Sequence, residues 1–412
     1  MTSNALQIAE TYLFALFVIL GSGAVGGWLA ERLRLPDIVV YVIIGFLLGP
    51  SVLGVLHIPA QGVFHDAVLS LGAAWIVFQG GLEMRFQVLR QIWVSVALLA
   101  TVGLVMTAAV VGVAAHILME LPVLSALLLG SLLASTDPAA LVPIFQRLSI
   151  RARVAQAVIA ESAFTDATGA MLTALVLSRA TMGTNGRHEG AGFLLSELVR
   201  LALGGAVIGV AIGLAAAWLV ARHKPVTPGG RSLFLVLAAL GSYAVAAQVG
   251  ASGFMASFAA GMALAHAPER WVRVDERDRA QLEAFVDALS LQFRILIFVL
   301  LGSQIDAAMM IHHLDLVLLV VAVFMLVARP LTVLVSLLPD RRARWSWREI
   351  AFFSWVRETG TIAIALAGLV QGAGVPDGPL ITQVAATAVI VTLMVQASTT
   401  PLAARWLRLR ID

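Results

Sequence analysis

Glu161-Ser162-Ala163-Phe164-Thr165-Asp166 puts two carboxylates and a hydroxyl inside a stretch otherwise apolar enough to cross a lipid bilayer. One ionised residue at the centre of a membrane helix costs about 2.5–3.5 kcal/mol on insertion scales, so an acid retained there marks a binding group or an ion pathway. An upstream stretch repeats the pattern. Ser135-Thr136-Asp137-Pro138 offers another acid, and Pro138 cannot continue helical hydrogen bonding. Carbonyls freed at such a break become ligands, since irregular backbone at membrane depth survives only where it is buried or lines a cavity. Carboxylate, hydroxyl, carbonyl and water oxygens suit a hard monovalent cation, and no histidine or thiol stands beside them to favour a transition metal.

Helical spacing divides the labour between the two acids. At 3.6 residues per turn, Ser162 and Asp166 share a face with Gly169 and Thr173, whereas Glu161 points about 100° away from Ser162. Asp166 and Ser162 are expected to face a small polar cavity, and Glu161 to meet an arginine from another helix. Burial disfavours the bare carboxylate, so a proton and a cation become alternative occupants of such a group.

The elements that must position these residues are membrane spans. Of the 412 residues, 60% are hydrophobic and 12% charged, and the mean hydropathy is +0.94. Soluble domains carry about 25% charge, so the chain is a polytopic membrane protein. A length of about 20 apolar residues per helix gives about thirteen spans, with cores beginning near residues 8, 37, 64, 92, 122, 153, 194, 231, 251, 281, 314, 348 and 379. Most of the 27 lysines and arginines fall in alternate connections: Arg32 and Arg34, Arg85 and Arg90, Arg147 to Arg153, Arg222 to Arg231, Arg270 to Arg279, Arg341 to Arg348, and Arg405 to Arg410. The positive-inside rule makes that side cytoplasmic, with the N-terminus outside and the C-terminus inside. The sequence pI near 9.9 is therefore a topology signal and not a nucleic-acid footprint. Met1 to Glu10 lack a basic n-region, so the first apolar stretch is read as a retained helix. The absence of cysteine excludes disulfides and thiolate metal sites. No connection is long enough for a soluble regulatory domain, and residues 1–412 form one transmembrane domain.

Each half of the chain holds one interrupted span, the first broken at Asp137-Pro138 and the second loosened around Arg357-Glu358-Thr359-Gly360. Paired broken helices point to an inverted-repeat transporter with its site near the midplane. Arg294, Arg329 and Arg357 lie within spans and are available to neutralise buried acids. Gly205, Gly209 and Gly213, like Gly45 and Gly49, allow close helix approach within a subunit. Trp271, Trp345, Trp347 and Trp406 flank basic clusters and read as interfacial anchors without chemistry.

The run from Ser135 to Pro143, the run from Glu161 to Ala170, Arg329-Pro330 and Arg357-Glu358-Thr359-Gly360 together resemble the monovalent cation/proton antiporters of the NhaP type, the sodium/hydrogen exchanger family, along nearly the whole chain. The resemblance implies thirteen helices, inverted repeats with two interrupted crossing helices, and a homodimer, and the compact chain without long tails is expected in a bacterial inner (plasma) membrane. Ion-translocating core helices would lie mainly within about 92–180 and 314–407, and dimerisation helices within about 8–60 and 194–302. It implies Asp166 as the ion- and proton-carrying carboxylate, with Asp137, the Thr136 backbone and Ser162 completing a Na+ or K+ site. Glu161 would pair with a core arginine, Arg357 first and Arg329 second, or else ligate the cation. The position before the key aspartate, usually Asn in electroneutral members and Asp in electrogenic ones, is Thr165, which adds no second titrating charge and predicts one-for-one exchange with H+. Glu358 departs from the more familiar Arg-Gly pairing. No cofactor and no enzymatic activity are implied.

Two other classes compete. A cation channel would use the same oxygens at far higher flux. An intramembrane aspartyl protease would use paired aspartates, but its Gly-x-Gly-Asp setting is missing, as is a His-Glu-x-x-His metal motif. An anion carrier would be expected to hold more cationic than acidic site residues, the opposite of Asp137, Glu161 and Asp166.

Overall fold

A computed structural model of the chain describes residues 2–33, 35–60, 62–84, 86–136, 145, 150–182, 191–222, 230–267, 276–357 and 359–409. Asp137, Pro138 and Glu358 lie outside the described residues. Among the described residues the regular structure is all helical, with no strand, as hydrocarbon requires of a chain that must satisfy its own backbone. Eight helices among them are long and apolar enough to cross a membrane. Shorter apolar helices are α2 (Asp37–Leu48), α6 (Val123–Leu133), α10 (Gly253–Ala265) and α15 (Thr361–Gly372). The acid-bearing α7 (Ala152–Met182) has 31 residues, about 46 Å at 1.5 Å per residue.

Both expected interruptions fall near helix ends. Helix α6 stops at Leu133, and Ala134 to Thr136 continue as irregular backbone. Helix α14 (Trp347–Trp355) stops four residues after Ala351, and α15 restarts at Thr361. Ser346 and Glu349 form a capping box at the start of α14, with the Ser346 side chain accepting from the Glu349 N–H and Glu349 accepting from Ser346.

Three other spans are continuous but carry a π segment. Leu99–Gly103 joins α4 (Phe86–Leu98) to α5 (Leu104–Leu118), Phe324–Ala328 joins α12 (Ala307–Val323) to α13 (Arg329–Leu337), and Thr392–Ala397 joins α16 (Gly378–Val391) to α17 (Ser398–Trp406). Two of them precede prolines. Pro330 and Pro401 donate no N–H to the carbonyl four residues back, and the helix widens at the affected turn.

Glycine contacts set the helix spacing. In α8 (Ala191–Arg222), a Cβ at Gly209 would stand 2.1 Å from the Ala256 carbonyl oxygen of α10, and Gly205 and Gly213 meet Ser252 and Ala260 in the same way. Gly45 of α2 and Gly49, which caps its C-terminus, lie against Val299 and Ser303 of α11 (Glu276–Ser303). In α3 (Val63–Leu82), Trp75 Nε1 donates to Ser290 Oγ of α11 at 2.9 Å. Side chains turned outward are large and apolar, among them Phe17, Val207 and Ile311, as lipid contact demands.

One tryptophan departs from its expected role. Trp347 and Trp406 are exposed, at 69% and 85%, but Trp345 is half-buried and donates from Nε1 to Ser95 Oγ of α4 at 2.8 Å. Ser95 in turn donates to the buried Asp340 carboxylate at 2.6 Å, and the Arg153 guanidinium lies 4.2 Å from the Trp345 ring centre. Trp345 is a brace between two halves of the chain; local sequence showed only its neighbouring arginines. Trp271 lies outside the described residues.

Candidate functional site

Helix α7 aligns its polar face on the irregular end of α6. Ser162 Oγ donates to the Thr136 carbonyl oxygen. Thr165 Oγ1 lies 2.8 Å from Thr136 Oγ1 and donates to the Ser162 carbonyl at 3.1 Å. Ser135 Oγ donates to Asp166 Oδ1 at 2.5 Å, the short distance expected when a hydroxyl meets a carboxylate. Two turns further along α7, Thr173 Oγ1 donates to Ser131 Oγ at 3.1 Å. Gly169 makes this approach possible, since a Cβ there would lie 3.2 Å from Ser135 Cβ. Asp166, Ser162, Thr165, Thr136 and Ser135 are all buried. Ser135 joins this polar cluster through Asp166 although spacing did not single it out; it opens the same Ser-Thr-Asp-Pro run.

Glu161 leaves the helix in another direction, as 100° per residue requires. Both of its carboxylate oxygens accept from the Arg329 guanidinium, the second at 3.0 Å. Both partners are buried, Arg329 at 1% exposure and Glu161 at 2%. Of the two roles expected for Glu161, this geometry serves the ion pair. The expected order of partners is reversed, however: Arg329 takes the acid and Arg357 does not.

The reason lies in helix ends. Arg357, within the second break, donates from Nη2 to the Leu133 and Ala134 carbonyls at 3.1 and 2.8 Å, and from Nη1 to Thr107 Oγ1 at 3.3 Å. Those carbonyls close α6, where the last turn has no helical donors and the helix dipole is negative, so a cation is stabilised there. The Phe324 ring beneath, 4.8 Å away, completes its surroundings. Arg329 does the same for α14, donating from Nε to the Phe353 carbonyl at 2.8 Å and from Nη2 to the Val356 carbonyl at 3.2 Å. Each interrupted segment thus ends on a buried guanidinium. Thr107 and Thr332, 2.8 Å apart at their hydroxyls, support Arg357 and were not foreseen. Arg294 is half-buried in α11.

These features define a multi-pass membrane protein whose polar groups converge where helices are interrupted. Residues 16–406 match the family described as sodium/hydrogen exchanger, transmembrane, and the chain belongs to that family. It is 31% identical over 413 residues to the K(+)/H(+) antiporter NhaP of Alkalimonas amylolytica, covering 99% of this chain and 68% of that protein. To the Na(+)/H(+) antiporter 1 of Methanocaldococcus jannaschii it is 30% identical, with 88% and 83% covered. The chain spans 63% of the K(+)/H(+) antiporter NhaP2 of Shewanella oneidensis, at 29% identity. The solved structure of the sodium proton antiporter MjNhaP1 from Methanocaldococcus jannaschii at pH 8 superposes with a TM-score of 0.78 at 26% identity, covering 98% of this chain and 99% of that one. These relatives are transporters and not enzymes.

Proposed function

We propose that the chain exchanges a monovalent cation, Na+ with K+ as the second candidate, for H+ by alternating access, one for one. The observation that carries this reading is the Asp166 carboxylate, buried and accepting from Ser135 Oγ next to the Thr136–Ser162–Thr165 cluster, where α6 loses its helical hydrogen bonds. A dehydrated cation finds there a negative oxygen plus hydroxyl and carbonyl oxygens. Asp137, next along the chain, would add a second carboxylate. A proton neutralises Asp166 as well as a cation does, so either occupant lets the core cross a low-dielectric barrier that opposes the bare anion. Occupation by one excludes the other, and exchange follows.

Glu161 and Arg329 form the compensated pair that fixes α7 against the second break, and Arg357 holds the end of α6; neither arginine is proposed to carry the ion. Thr165 contributes a hydroxyl in place of a second acid, which supports electroneutral exchange. The core would comprise helices mainly within 92–180 and 314–407, moving against a dimerising scaffold within 8–60 and 194–302 of a thirteen-span homodimer in the plasma membrane. Three of the basic connections assigned to the cytoplasm meet at one end: the Arg151 N–H donates to the Leu409 carbonyl at 3.2 Å, and Arg153 Nη2 lies 3.5 Å from Glu349. This supports a shared side for those connections.

Reconstitution into liposomes with a trapped pH dye tests the proposal. Sodium or potassium gradients should move protons in the wild type, independently of a clamped membrane potential, and Asp166→Asn should abolish that movement while the protein remains folded in the bilayer. Retained exchange in Asp166→Asn, or a current beyond any carrier cycle, would overturn it.

A further inference from the structure

The second interruption contains polar atoms that the antiport cycle just described does not use. Thr359 and Gln396 are 0% and 1% exposed, and neither Thr359 Oγ1 nor Gln396 Oε1 has a hydrogen-bond partner among the described residues. They belong to two segments already tied together. The Thr359 N–H donates to Thr392 Oγ1 at 3.4 Å, and Gln396 Nε2 donates to the Trp355 carbonyl at 2.8 Å. Thr392 and Gln396 are four apart on the π segment Thr392–Ala397, so the two contacts set the break and the π segment face to face. Buried polar atoms left without partners are costly, and a buried site with several such atoms is where proteins keep ordered water, which typically makes about three hydrogen bonds.

We infer that the break between α14 and α15 and the π segment Thr392–Ala397 form an internal water site, with the water donating to Gln396 Oε1 and bonded to Thr359 Oγ1. A second cation is a poorer occupant. Arg357 stands in the same break with its Nε without a partner among the described residues, and the Val356 carbonyl beside it already receives Arg329, so the local field is positive. Water tolerates that field and can both donate and accept. Its presence would let the break shift during transport by exchanging one water contact for another, without stranding a polar group in a dry interior. The inference is independent of which ion is carried.

Thr359→Val tests it cleanly, because the valine keeps the volume and leaves the backbone bond to Thr392. The expected result is density bridging Thr359 and Gln396 in a wild-type map that resolves ordered water, retained in Thr359→Ser and lost in Thr359→Val. Exchange should then slow severalfold in Thr359→Val with the KM for the cation unchanged, and Thr359→Ser should restore the rate. A wild-type map without that density overturns the inference, as does a Thr359→Val protein that is more thermostable and as fast as wild type. A raised KM also overturns it by assigning Thr359 to cation binding. The wild-type map alone decides the question if Thr359→Val fails to fold, and it does so whether or not antiport is observed.

Discussion

Removing one member of the Glu161–Arg329 pair leaves the other charged and dry, whereas removing both leaves only a packing defect. Arg329→Leu should therefore cost about 3–5 kcal/mol, read as a large drop in the thermal midpoint in detergent, and Glu161→Leu combined with Arg329→Leu should recover a substantial part of it. Little or no recovery would mean that the carbonyl contacts of Arg329, and not its acid, carry its contribution. Asp166 predicts a different response, in transport and not in folding. Protons and cations compete for it, so lowering the pH should raise the KM for the cation, and saturating cation should restore the rate; a pH-independent KM would separate the two sites. The residues with chemistry were readable where the code is local: Ser162 and Asp166 lie on one face and Glu161 on another by helical period alone. The choice between Arg329 and Arg357 was not readable, because it depends on which helix end each guanidinium meets, and spacing along one helix says nothing of the helix opposite. Ser135 escaped for the same reason, since its role appears only once Asp166 is brought against it.

Helices meet here through glycine, and the close contacts differ sharply in what they tolerate. A Cβ at Gly130 of α6 would stand 2.1 Å from the Ala108 carbonyl oxygen of α5, whereas one at Gly241 in α9 (Gly230–Gln248) would find nothing within 4 Å. Gly130→Ala should force α6 away from α5, misplace Thr136 and depress both exchange and the thermal midpoint, at a cost of about 1–3 kcal/mol; Gly241→Ala should behave as wild type. Equal behaviour of the two would show that α6 relaxes freely. The ladder at Gly205, Gly209 and Gly213 was legible as a close-approach face, yet its partner α10 was not. The breaks were legible from Pro138 and from the polar run at Arg357 to Gly360. The π segments were not, though Pro330 and Pro401 mark two of them in retrospect. All three lie beside the polar network: Gly103 accepts from Thr332, Phe324 underlies Arg357, and Thr392 receives the Thr359 N–H. Such widened turns free carbonyls and redirect side chains, which is why they collect at functional positions.

At the scale of the whole molecule, the composition announced a membrane protein and the motifs announced its family, while handedness across the bilayer rests on the distribution of arginine. That distribution is directly testable because the chain contains no cysteine. Single cysteines placed at Arg341 and Arg405 should react with an impermeant maleimide only after the cytoplasmic face is opened, and one at Arg179 should react from outside; the reverse pattern would invert the proposed orientation. Arg357 belongs to the second interrupted segment but grips the carbonyls that end α6, so the two segments are fastened by residues more than 220 positions apart in sequence. A lesion at Arg357 is thus a lesion of α6, and in a genetic selection its suppressors should map near Leu133, Thr107 or Phe324 as readily as beside Arg357 itself. The two halves of the gene are bound to drift together at this point.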